Sequence, residues 1–220
     1  MRARTLLALS VTAGALTVFC EGTSLQAQED PESRLHDDRE WLISAAVLAL
    51  PSELRDGAEV RVRTDGPDLR TIREGDNSMI CLADEPGGGF HVACYHESLE
   101  PFMRRGRELS AQGLEESERQ RARWEDIEAG ELSMPDHPTM VYNLTFDTEA
   151  IDPDTTDWRD GARLHATYIP YATPEQTGLT TESNPVEPWL MWPGEPSAHI
   201  MMVIPPRTAP GGGESGAGGG

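Results

Sequence analysis

The chain contains no lysine: all 18 of its basic residues among 220 are arginine. That absence removes several chemistries at once. No Schiff base to a carbonyl substrate or to pyridoxal phosphate can form without a lysine amine. The phosphate-cradling loop of nucleotide hydrolases cannot be completed, because its cation is a lysine. The usual kinase pattern and serine–lysine pairs are excluded on the same ground. Positive charge is scarce as well, with 38 acids against 18 arginines and a net charge of −20. A nucleic-acid partner needs a basic footprint, so none is expected. The arginines at Arg104, Arg105 and Arg107, and again at Arg119, Arg121 and Arg123, lie among glutamates. They read as a solvated, salt-bridged helix face. Outside the N-terminus no apolar run is long enough to span a bilayer, so no transmembrane segment is expected once a leader is removed.

Residues 1–27 read as an export signal. Arg2 and Arg4 supply the positive end, and residues 5–19 an apolar stretch of the right size. Cleavage fits after Ala27, with Gly22 and Ser24 as other positions. Lipidation through Cys20 and an uncleaved signal anchor are alternatives; Phe19 before Cys20 is larger than a lipoprotein peptidase accepts. The expected location is therefore periplasmic or extracellular. Removal of Cys20 leaves Cys81 and Cys94, and an even pair in an oxidising compartment reads as one disulfide.

Residues 28–36 are polar and read as a loose linker, residues 37–206 as one domain, and residues 207–220 as a glycine-rich tail without means of packing. A helix is predicted over 38–50, capped by Asp37 and carrying Trp41, Leu42, Ala45, Ala46 and Leu48 on its apolar stripe. Residues 51–57 read as a turn. Strands are predicted over 58–63 and 68–73 around Asp65-Gly66, and over 78–83 and 90–95 around the sequence Glu-Pro-Gly-Gly-Gly. If that second loop is centred between Gly87 and Gly88, opposed residue numbers sum to 175. Cys81 then faces Cys94, Ile80 faces Tyr95 and Asp84 faces His91.

Residues 97–131 form a predicted helical insertion. Its second half is so charged that only Trp124 and Ile127 look like anchors, and it could project from the body. Residues 140–146 alternate as a half-buried strand, with Met140, Tyr142, Leu144 and Phe146 on one face. The acidic stretch 147–162 lacks the glycine and closing glutamate of a calcium-binding loop and reads as surface. Further strands are predicted over 164–169 and 199–204. The fold class is α+β, a mainly antiparallel sheet with one N-terminal helix and a helical insertion.

No catalytic set is complete. The six histidines are His36, His91, His96, His137, His165 and His199. None has metal-ligand spacing on a helix, and Gly-x-Ser-x-Gly does not occur. A redox or metal site from Cys81, Cys94, His91 and His96 would need free thiols. His199 and Met201 fall on one strand face and could hold a soft metal, but apolar strand packing by the methionines is the preferred reading. Trp189 and Trp192 with His165 and His199 make the candidate ligand pocket, against plain packing of the tryptophans. No cofactor is implied. The function expected is a non-catalytic envelope or periplasmic protein binding a small molecule or a partner. A metal-dependent or general acid–base enzyme using His91, His96, His165 or His199 is the first alternative. A structural envelope protein is the second.

The series Arg73, Gly75, Asn77, Cys81, Asp84 and Pro86, followed by Cys94, by the run Pro170 to Thr173 and by the His199 strand, resembles a group of small exported bacterial proteins without an established activity. The resemblance spans most of residues 41–204. It implies export and this architecture, and no reaction. This chain departs from the group in lacking lysine and in its charged segment around 114–131.

Overall fold

The computed structural model describes residues 39–83, 89–148 and 151–207. The expected export signal, Cys20, the expected linker at 28–36, the expected Asp37 cap, Asp84 of the expected Asp84–His91 pairing and the tail beyond Arg207 lie outside those residues. The described chain folds as an eight-stranded mixed sheet, mostly antiparallel, in the order β2-β1-β3-β4-β5-β6-β8-β7. The strands are β1 Glu59–Arg63, β2 Leu69–Arg73, β3 Met79–Leu82, β4 Phe90–His96, β5 Thr139–Phe146, β6 Ala162–Tyr168, β7 Trp189–Met191 and β8 His199–Ile204. An N-terminal helix α1, Arg39–Ala46, continues into a 3-10 turn at Val47–Ala49. A short helix α2, Ser52–Arg55, occupies the stretch read as a turn. Helices α3, Glu100–Ala111, and α4, Glu116–Glu128, form a pair inserted between β4 and β5, and a single-turn helix α5 covers Pro174–Thr177. Among the described residues no helix is long and apolar enough to cross a membrane.

Alternation along the strands gives the sheet two covered faces. On one face Val60, Met79, Cys81, Phe90, Val92, Cys94 and Leu144 pack beneath α1 and the turn after it. Trp41 joins this layer edge-on to Phe90 and donates its indole N–H to the Ile151 carbonyl at 3.1 Å. On the other face Ile80, Tyr95, Val141, Ala166 and Tyr168 pack against Leu99 and Phe102 at the start of the helical pair. Strand β5 is therefore covered on both sides. Val141, assigned by alternation to the polar face, is buried like Leu144 because α3 and the segment after α4 lie over it.

The hairpin of β3 and β4 has the register expected. Cys81 pairs with Cys94 and Ile80 with Tyr95, and the two sulfurs are bonded with Cα atoms 4.0 Å apart. Both cysteines are fully buried under α1.

Strand β1 departs from simple hairpin order. It is antiparallel to β2 but parallel to β3, so the link between β2 and β3 must pass across the start of β1. The Arg-x-Gly-x-Asn series builds that crossing. The Arg73 guanidinium donates to the carbonyls of Arg55 and Ala58, and the Asn77 amide donates to the carbonyl of Leu54 at 2.7 Å. The amides of Asp76 and Asn77 both reach the carbonyl of Gly57. Gly75 lies so close to β1 that a Cβ there would stand 2.2 Å from the Glu59 nitrogen. These motif residues hold a corner of the fold.

Candidate functional site

The side chains with chemical potential gather where α4 meets the β6–β8 end of the sheet. His199 opens β8 opposite Tyr168 of β6, and their rings stack with centroids 4.7 Å apart. Trp192 closes on the same imidazole edge-on at 5.2 Å. It reaches there from a left-handed backbone conformation with φ 54°, which few non-glycine residues adopt, in the turn that leaves β7. Trp124 of α4 meets Trp192 edge-on at 5.7 Å. His199 Nδ1 lies 2.8 Å from the main-chain carbonyl of Ser197. A carbonyl only accepts, so Nδ1 carries the proton and Nε2 is the lone-pair nitrogen of the neutral ring. Burial pushes the His199 pKa down, and the bond to the Ser197 carbonyl opposes that.

Ser197 joins this ring cluster to α4. Its hydroxyl oxygen accepts from Gln120 Nε2 at 2.7 Å and from Trp124 Nε1 at 2.8 Å. Gln120 in turn accepts from Arg123 Nη2 at 2.5 Å. Arg123 lies over the Phe102 ring, 4.1 Å from its centroid. Gln120 and Arg123 are only 4% and 8% exposed. Helix α4 therefore does not project. It docks on the sheet through Gln120, Arg123 and Trp124, residues at helical spacing whose polar groups are met by one another and by Ser197. Arg123, read with Arg119 and Arg121 as part of a solvated face, is buried because Phe102 and the amide of Gln120 receive it.

Periodicity did not point to Gln120, Arg123 or Ser197, because a polar side chain facing inward carries the same sequence signal as one facing water. The one available hint was spacing: Gln120, Arg123 and Ile127 fall on one side of a helix together with Trp124.

No protein-family model, no curated protein and no solved structure matches this chain.

Of the four pocket residues proposed from sequence, three share one end of the sheet. Trp192 touches His199, and the register places Trp189 beside Met201, on the face His199 also occupies. His165 lies elsewhere. It pairs with Met202 on β8, one residue out of phase with the Tyr168–His199 pair, and so points to the α1 face. There it meets Tyr142 edge-on at 5.1 Å, and its Nδ1 is buried without a hydrogen-bond partner. Burial, aided by the neighbouring Arg163, lowers its pKa. The parity of β6 is what separates it from His199. Of the other described histidines, His91 Nδ1 is 3.0 Å from the Thr145 hydroxyl, His96 Nδ1 is 2.9 Å from the Ser98 hydroxyl, and His137 pairs with Asp136 and meets His96 edge-on with ring centroids 6.1 Å apart; His36 lies outside the described residues. Cys81 and Cys94 are bonded to each other and offer no thiolate. Among the described residues no group of three or more His, Cys, Asp or Glu side chains is placed to hold a metal ion.

A cleft of about 450 Å³ opens on the same side of the sheet, between the β1–β2 turn and the helical pair. Leu69 and Met103 give it an apolar wall, and Arg63, Arg107, Arg119 and Arg123 line it. Arg107 also ties its two sides together, donating to the Pro67 carbonyl at 3.0 Å and to Glu100 at 2.7 Å. Buried Arg123 is thus shared between the ring cluster and the cleft.

Proposed function

We propose that this is an exported, non-catalytic binding protein whose ligand side is the sheet face carrying α3 and α4. Export is supported by residues 1–27 and by a disulfide, which persists in an oxidising compartment. The observation that carries the binding reading is the contrast between cluster and cleft. In the cluster, Ser197 Oγ already accepts from Gln120 and Trp124, and the bond His199 makes to Ser197 goes to its main-chain carbonyl and not to its hydroxyl, so the two side chains are not joined as a nucleophile–base pair. Beside it, an open cleft between three elements presents four arginines and the apolar side chains of Leu69 and Met103, a concave surface on which polar groups converge.

The test has two arms. The full chain, expressed in a Gram-negative host and fractionated, is expected in the periplasm with its leader removed and no reactive thiol. A thermal-shift screen of the purified protein is expected to find stabilising small molecules, while a broad hydrolase panel finds no turnover. Retention in the cytoplasm with both sulfurs reduced would remove the export half. Turnover abolished by His199→Ala would remove the non-catalytic half.

A further inference from the structure

The charge of the cleft runs against the charge of the chain. A molecule of net charge −20 places four arginines around one opening, with Asp65 and Glu116 as the acidic groups among the lining residues. Arg123 is buried and poorly compensated. Its side chain is 10% exposed, Nη2 is bonded to a neutral amide and Nε has no hydrogen-bond partner. The nearest carboxylate, Glu116, is 3.9 Å away on a side chain 69% exposed, and it also pairs with Arg119. A buried guanidinium remains charged, and one solvated carboxylate at that distance balances it poorly. Helix α3 makes room for the group as well. Gly106, an unfavourable residue inside a helix, lines the cleft where a Cβ would stand 2.9 Å from Arg123 Nη1.

We propose that this cleft is an oxyanion site that takes a phosphate-type group, with Arg123 at its floor and Arg63, Arg107 and Arg119 around it. This assignment rests on the binding reading above and gives the ligand its chemistry. The cations come from β1, α3 and α4 and therefore approach from different sides. A planar carboxylate is satisfied by one guanidinium fork, whereas a tetrahedral anion can accept from several at once. The volume exceeds the need of a bare ion, and Leu69 and Met103 offer contact to an organic substituent. The class favoured is a small phosphate monoester.

Calorimetric titration of the exported protein at low salt with phenyl phosphate, inorganic phosphate and acetate tests this. Phenyl phosphate is expected to bind about tenfold more tightly than acetate. Phenyl phosphate above inorganic phosphate identifies an ester, and equal affinity identifies the free ion; both support the oxyanion site. Arg123→Met is expected to abolish binding but could unsettle α4. The decisive variant is therefore Arg63→Gln with Arg119→Gln, at the edge of the cleft, checked for an unchanged circular-dichroism spectrum. It is expected to lose at least about tenfold in phenyl phosphate affinity. Absence of binding by either phosphate at about 10 mM, or unchanged affinity in the double variant, would overturn the proposal. If the phosphates fail while a neutral compound raises the melting temperature, the binding reading stands and this assignment alone falls.

Discussion

Removing the Cys81–Cys94 bond by the double substitution Cys81→Ala and Cys94→Ala should lower stability by a calculable amount. The two residues are 13 apart, and closing a loop of that size restricts the unfolded chain by about 3 kcal/mol in the chain-entropy treatment. Both side chains are fully buried beneath α1, so truncating them adds a packing loss on top. The assay is urea unfolding followed by tryptophan fluorescence. With a denaturant slope of about 2 kcal/mol per molar, the loop term alone lowers the midpoint by about 1.5 M, and the packing loss lowers it further. The slope itself is expected to rise, because an unbridged unfolded chain exposes more surface. A midpoint that moves by less than about 0.3 M would refute the reasoning. So would alkylation of the wild-type cysteines in the folded protein without reductant.

Acidification supplies a second expectation. Burial lowers the pKa of both His165 and His199 in the folded state, below the unfolded value of about 6.5. The unfolded chain then binds more protons, so the stability these rings contribute is complete above that value and is lost as pH falls through it. The loss reaches at most about 1.4 kcal/mol per pH unit for each ring. Urea midpoints measured from about pH 7 to pH 5 should decline, and His199→Phe should flatten the slope; an unchanged slope in that variant would show that His199 is not the group responsible. At the crossing between β2 and β3, Gly75→Ala would bring a Cβ against main-chain atoms of Ala58 and Glu59, which have no flexible end to move. A loss of about 3 kcal/mol or more is expected in the same assay, and a near-neutral result would mean the corner can open.

Local pattern was legible wherever a residue's partner lay close in the chain. The β3–β4 register followed from loop centring because two strands joined by a short turn have few ways to align. The same holds for β8, an apolar run bounded by Pro205 and Pro206. What was not legible depended on partners distant in sequence. Nothing local tells β1 to lie parallel to β3, nor β6 to sit between β5 and β8. Strand β5 looked half-buried because Asn143 and Thr145 suggested a wet face, whereas the helical insertion covers part of it. Docking of helix α4 is not legible in sequence because its inward stripe is polar, and its partner, Ser197, lies 77 residues beyond Gln120. The candidate site was therefore half visible. The aromatic and imidazole groups of β7 and β8 stood out by composition, but the α4 groups that complete them did not.

The crossing that threads β1 between its sequence neighbours has a mechanical consequence. Tension entering through α1 reaches β1 with hydrogen-bonded strands on both flanks, β2 on one side and β3 on the other. Those two flanks are tethered to each other by the Arg73–Asn77 corner, so they cannot separate to release it. Extraction must shear two ladders together instead of unzipping one from an edge. In a chain pulled from its N-terminal side, that arrangement places resistance at the sheet margin.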